Sequence, residues 1–153
     1  DPTGSQESLR GYKAALREYD LFLDETLIVR GTFREGSGAR AAEVLIDRPQ
    51  PPTAIFAAND LMAIEAIARL RAKGYSVPGD IAVVGFDDVK IASVGGIDLT
   101  TVSQPKREVG REAVRLLIDR LAGEPQATRQ VTFSPHLVVR KTCGQSMHVP
   151  SRG

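Results

Sequence analysis

Apolar residues fall at steps of three and four in several stretches of this chain, and run together in others. In SLRGYKAALREYD, Leu9, Tyr12, Leu16 and Tyr19 form one stripe, which predicts a helix. The short β-branched run TLIVRG, 26–31, predicts a strand. REGSGARAAEVLID predicts a second helix, with Ala39, Ala42, Leu45 and Ile46 on one side and an end before Pro49. RPQPP, 48–52, is a stiff loop, because proline fixes φ and disfavours helix in the residue before it. TAIFAA then predicts a strand and DLMAIEAIARLRAK a helix, with Gly74 where a C-cap glycine belongs. YSVPGD is a turn. IAVVGF, 81–86, is apolar on both faces, the pattern of a strand in a parallel sheet covered on both sides. Residues 89–98 are loop-like, with two adjacent glycines, and LTTVSQ is extended. PKREVGREAVRLLIDRLAGEP predicts a helix with Pro105 near its start and Gly123 and Pro125 at its end. Its apolar stripe is Val109, Ala113, Leu116, Leu117 and Leu121. VTFSPHLVVRKT predicts one or two closing strands around Pro135, and CGQSMHVPSRG a disordered tail.

Strand and helix thus alternate at least three times, the signature of an open α/β fold with right-handed crossovers. Ligands of such sheets bind at the carboxyl ends of the strands. Two of the strands end in polar pairs: AIFAAND in Asn59 and Asp60, IAVVGFDD in Asp87 and Asp88. Parallel neighbours lie ~4.8 Å apart, so side chains from the two ends can meet one small molecule. An amide offers donors and acceptors and a carboxylate offers acceptors, a set that suits sugars, nucleosides and polyols. Each pair also has a capping reading. Asp60 opens a helix, so its expected role is the N-cap, worth ~1 kcal/mol, which leaves Asn59 to face a ligand. Asp88 is expected in a turn or cap, and Asp87, first off the strand, on the ligand.

Composition narrows the function classes. Lysine plus arginine is 20 against 19 acidic residues, so a generic nucleic-acid surface is not expected, though one discrete site remains open. No block of five like charges suggests a charged tail. No apolar run approaches the ~18 residues that cross a bilayer, so no membrane partner is expected. The single cysteine, Cys143, cannot form an internal disulfide, which fits a reducing, cytoplasmic setting. Paired aspartates could hold magnesium, but there is no GxxxxGK[ST] loop and no lysine obviously placed to pair with them. His136, His148 and Cys143 lack metal-site spacing, and there is no GxSxG elbow. The expectation is no catalytic centre, no metal and no cofactor. DPTGSQES has neither an initiator methionine nor a signal peptide, and is expected to start within something larger.

The order AIFAANDLMAIEAIARLRAKGYSVPGDIAVVGFDD, LTTVSQP, REVGREAVRLLIDRLAGEP and HLVVRKTC resembles the effector-binding core of lactose-repressor (LacI/GalR) type transcription regulators. SLRGYKAALREY and GTFREGSGARAAEVL resemble its preceding parts, so the resemblance covers residues ~5 to 143. It implies a type I periplasmic-binding-protein-like fold, here mostly the second lobe and incomplete. Residues 5–103 would belong to that lobe, 104–124 would be a helix docked on a missing first lobe, 130–142 would close the second lobe, and 143–153 would be tail. The N-terminal helix-turn-helix, most of the first lobe and the strand before the first helix would lie outside the sequence. The implied function is to bind a small effector, a sugar or nucleobase-like molecule, between two lobes and so modulate operator binding. The partners are then the effector, operator DNA through the absent domain, and a second copy in a homodimer or higher oligomer, with helix 60–73 at the contact. An alternative is a solute-binding receptor of a sugar uptake system. By resemblance, Asn59 and Asp87 match effector-contacting positions, Gln104 the crossover between lobes, and Phe33 a ring that stacks on the ligand. One position departs from the family: Ser8 stands where an arginine is usual, and Arg10 is turned ~200° away on the helix. That weakens the case for a carboxylate- or phosphate-bearing effector.

Overall fold

The computed structural model describes residues 2–122 and 129–144. Helix α1 (Pro2–Glu18) leads through a 3-10 turn, Glu25–Leu27, to α2 (Ser37–Ile46). Strand β1 (Ala54–Phe56), α3 (Asp60–Ala72), β2 (Ala82–Asp87) and β3 (Thr100–Ser103) follow. The described residues end with α4 (Lys106–Leu121), β4 (His136–Val138) and a 3-10 turn, Lys141–Cys143. The sheet order is β1-β2-β3-β4. The first three strands are parallel, so their carboxyl ends share one edge, and β4 runs antiparallel to β3 with Val102 opposite Leu137. The open α/β fold expected from the sequence is present.

Burial explains why these segments settle as they do. In β2, Val83 and Gly85 are buried while Ala82, Val84 and Phe86 are partly covered, so the central strand is shielded on both faces. Leu70 of α3, Ile81, Val83 and Leu99 are fully buried and form the centre of the core. Gly74 has φ 88°, and the amides of Gly74 and Tyr75 close on the carbonyls of Arg71 and Leu70, both at 3.0 Å, ending α3 at the expected glycine. Thr142 is buried; its hydroxyl accepts from the Thr100 amide at 2.9 Å and donates to the Val83 carbonyl at 2.7 Å. The chain end is thereby tied across two strands. Leu61 and Ala68 stay exposed on the other side of α3, so its apolar residues cover more than one narrow face.

Two expectations change and one is narrowed. TLIVRG does not form a strand: it gives the 3-10 turn and then unpaired backbone at Ile28–Gly31. β-Branched residues favour a strand only where a neighbouring ladder receives them. Here residues 28–31 and β1 both line a hollow of about 510 Å³, and β1 pairs only with β2. VTFSPHLVVRKT yields one short strand, because the backbone up to Pro135 makes no ladder. Cys143, expected to open the tail, belongs to the last 3-10 turn. Gly123 and Pro125, expected to end α4, and the tail from residue 145 lie outside the described residues.

Helix α4 has no buried residue among those described, and Val109, Leu117 and Leu121 of its stripe are exposed. Helix α2, by contrast, lies hard against α3. A Cβ on Gly38 would come within 2.1 Å of the Met62 carbonyl oxygen and 2.6 Å of its Cα, which are backbone atoms that cannot swing aside. Gly38→Ala is therefore expected to force the helices apart and cost about 1–3 kcal/mol. Urea unfolding followed by circular dichroism measures this; a variant as stable as the parent would show that the two helices separate freely.

Candidate functional site

Three parallel strands deliver their ends to one edge of the sheet: β1 leads to Asn59, β2 ends at Asp87 and β3 leads to Gln104. Gln104 Nε2 donates to Asp87 Oδ1 at 2.8 Å, so two of the four expected site residues meet. Asp87 has φ 114° and Asp88 φ 54°, both in the positive region that favours glycine. Non-glycine residues there persist only where their surroundings hold them, and they cluster at functional sites. Four groups hold this turn. Lys106 Nζ donates to the carbonyls of Asp87 and Asp88. Arg140 forms an ion pair with Asp88 at 2.7 Å and also donates to the Leu99 carbonyl. Thr101 Oγ1 accepts from the Asp88 amide at 3.4 Å. Asp60 Oδ2 accepts from the Val89 amide at 2.8 Å.

The N-cap falls to Asn59, not to Asp60 as expected. Asn59 is the N-cap: its backbone is extended, at φ −153° and ψ 168°, and Oδ1 accepts from the Met62 amide at 2.8 Å. Asp60 already has its place inside the helix and is fully buried. The cap is the half-in residue just before the first helical one, so the boundary falls one position earlier than expected. Capping occupies only Asn59 Oδ1; the amide nitrogen has no hydrogen-bond partner among the described residues and is left to donate elsewhere.

Phe33 and Gln104 line different hollows. Phe33 is 56% exposed, with φ 56°, on the loop before α2. It lines the 510 Å³ hollow together with Ser8, Tyr12, Phe56 and Ala58. Its loop is pinned at both ends: Ser37 Oγ accepts from the Thr32 amide at 2.8 Å, and Glu65 of α3 accepts from the Gly36 and Gly38 amides at 2.7 and 2.8 Å. Gln104 borders a second hollow with Phe86, Val109 and Phe133. Arg10 pairs with Glu7 at 2.6 Å on the exposed side of α1, while Ser8 faces the first hollow. No group of three or more His, Cys, Asp or Glu residues capable of holding a metal occurs among the described residues.

Residues 1–143 match the family model described as "Periplasmic binding protein-like domain". The chain belongs to the periplasmic binding protein-like domain family. Its relatives are LacI-type regulators, as the sequence resemblance implied. The chain is 42% identical over 142 residues to the HTH-type transcriptional regulator CelR of Thermobifida fusca, covering 93% of this chain and 42% of that protein. It is 37% identical to the HTH-type transcriptional repressor CytR of Escherichia coli, over 86% of this chain and 39% of that one. Among solved structures, a CelR–cellobiose complex aligns with TM-score 0.83 at 42% identity, over 88% of this chain and 41% of the other. A LacI-type regulator from Bacillus cereus subsp. cytotoxis aligns with TM-score 0.86 at 30% identity, over 91% of this chain and 49% of the other. The chain thus spans less than half the length of these relatives. They are named as transcription regulators, in line with the expectation of no enzyme activity and against the uptake-receptor alternative.

Within this periplasmic-binding-protein-like frame, the structure adds groups to the site that sequence reasoning passed over. Lys106, two residues beyond Gln104, was not seen as placed for the aspartates because its partners are their backbone carbonyls, not their carboxylates. Arg140 reaches Asp88 from 52 residues away, a pairing that only the antiparallel return of β4 creates. Electrostatics then separates the two aspartates. Arg140 holds the Asp88 carboxyl below the usual carboxylate range, against a smaller opposing effect of burial. Burial pushes the Asp87 carboxyl above that range; the Gln104 hydrogen bond opposes this, Asp60 adds to it and Lys106 opposes it.

A raised folded-state pKa means that the folded chain prefers protonated Asp87. That stabilising preference is complete below the ordinary value of 3.8 and is lost as pH rises through the folded value, leaving a partly buried charge at neutral pH. Asp87→Asn retains an oxygen for Gln104 and removes the charge. It is expected to raise the melting temperature at pH 7 by a few degrees, with the gain vanishing below the ordinary carboxylate value. Melting curves across pH 3 to 8 check this; a gain that persists undiminished in acid would contradict it.

Proposed function

We propose that this chain is the effector-binding and subunit-pairing part of a cytoplasmic transcription regulator. In this reading Asn59, Asp87 and Gln104 hold a polyhydroxyl or nucleobase-like molecule at the sheet edge, and Phe33 offers it a flat apolar face. In the same reading a first lobe completes the cleft, with α4 as the element that docks on it. The effector state is passed to operator DNA through a helix-turn-helix beyond this sequence, and two copies pair through the exposed Leu61 side of α3. The observation that carries the reading is the Asp87–Gln104 pair, held by a positive-φ turn at the carboxyl edge of a parallel sheet. Two features disfavour an anionic ligand. Ser8, not a cation, lies where the family usually has arginine, and the polar groups on offer are an amide nitrogen and a carboxylate. The cellobiose bound by the CelR structure makes that disaccharide the first probe.

Calorimetry on the full-length protein with cellobiose, other disaccharides and nucleobases is expected to find one class that binds. Asp87→Ala is then expected to weaken that probe about ten- to a hundredfold, as for loss of a charged hydrogen bond worth about 1.5–3 kcal/mol. Binding that survives Asp87→Ala undiminished would remove this edge from the site. Absence of heat from every probe would count against the sugar and nucleobase classes together.

A further inference from the structure

Asp60 takes no part in ligand contact as described above, yet its place in the structure is unusual. A carboxylate in the interior is costly unless its oxygens are bonded, and Asp60 is fully buried. Its oxygens are spent on two separate elements. Oδ1 accepts from the hydroxyl of buried Thr101 on β3, and Oδ2 accepts from the Val89 amide at 2.8 Å, in the turn after β2. Space for it is made by Gly85, where a Cβ would stand 2.4 Å from Asp60 Oδ1. The Thr101 hydroxyl in turn accepts from the Asp88 amide. One side chain therefore joins the first turn of α3, the middle of β3 and the positive-φ turn of Asp87 and Asp88. Asn59 is the residue just before it in the chain, and Asp87 lies two residues before Val89.

We infer that Asp60 is a positioning residue: it fixes the Asn59 amide and the Asp87 carboxylate in relation to one another, and so sets the affinity of the site without touching the ligand. The ligand arm of the test rests on the function proposed above; the remaining arms do not. Asp60→Asn and Asp60→Ala separate position from charge. An asparagine can still accept from the Val89 amide and can donate to Thr101, whose hydroxyl is free to rotate, whereas alanine leaves both groups unbonded in the interior.

In the full-length protein, hydrogen exchange of the Val89 amide and the nuclear magnetic resonance titration of the Asp87 carboxyl are measured for each variant, with cellobiose affinity alongside. The groups facing Asp87 are Gln104, Lys106 of α4, Asp60 of α3 and its neighbour Asp88, itself held by Arg140. Removing the Asp60 charge takes away a negative neighbour, so Asp87 should titrate at lower pH in both variants. Asp60→Asn is expected to keep the Val89 amide protected and to bind the probe within a few-fold of the parent. Asp60→Ala is expected to exchange that amide at least tenfold faster and to bind at least tenfold more weakly. Should alanine fail to fold, Thr101→Val carries the test: it removes the hydroxyl from Oδ1, and at least tenfold faster exchange at Asp88 is expected. The inference is overturned if a folded Asp60→Ala, or Thr101→Val in its place, leaves amide exchange in the turn unchanged. If the parent binds no probe, the effector reading fails, and the exchange and titration still decide the role of Asp60.

Discussion

The burial of one carboxylate constrains much of this molecule. Asp60 needs donors where water cannot supply them, and the donors it finds belong to β3 and to the turn leaving β2. That requirement explains why Gly85 is glycine, since any side chain there would collide with the carboxylate. It helps explain why Asp87 and Asp88 can stay in a backbone region that costs ~1–3 kcal/mol per residue. Removing water around the turn also shapes its chemistry. Burial, more than any neighbouring charge, holds the Asp87 carboxyl above its ordinary range, while Asp88, bonded to Arg140, goes the other way. Two adjacent aspartates thus have different partners: Asp88 holds the turn through Arg140, and Asp87 meets Gln104 at the sheet edge.

The fold was largely legible from pattern, and the site only in part. Alternation of strand and helix was enough to place the ends of β1 and β2 on one edge, because the crossover through α3 leaves little freedom in topology. Gly74 ended α3 where a left-handed residue was expected, since that is a local backbone requirement. The pairing of Asp87 with Gln104 arises from the adjacency of β2 and β3, whereas Gln104 was marked in the sequence only through the family resemblance. The cap was expected one residue late because an N-cap is defined by backbone angles, and an N-D dipeptide satisfies the sequence rule in either register. Lys106 and Arg140 were missed for different reasons. One binds carbonyls, which carry no sequence signal, and the other depends on a return strand far along the chain. TLIVRG misled because a strand is a property of two segments, and its propensity alone cannot supply the second.

The distribution of exposed apolar surface follows the same logic. The core around Val83, Leu70 and Leu99 is closed, whereas α4 shows Val114, Leu117, Ile118 and Leu121 at 56–78% exposure. Fully burying each such side chain is worth about 1.5–3 kcal/mol, so a face of this kind gains stability once it is covered. The chain spans 42% of CelR, which leaves more than half of that relative's length without a counterpart here. The α4 face and the strand-end edge then belong to one argument. Gln104 borders a hollow shared with Val109 of α4, so whatever covers α4 also approaches the Asp87–Gln104 pair. A cover that removes water from Val109 removes it from Gln104 too, the hydrogen-bond partner of the Asp87 carboxylate. That would strengthen any hydrogen bond a ligand makes to Asp87, because the interaction is electrostatic and the local dielectric falls. Tight binding at this edge is therefore expected only with α4 covered.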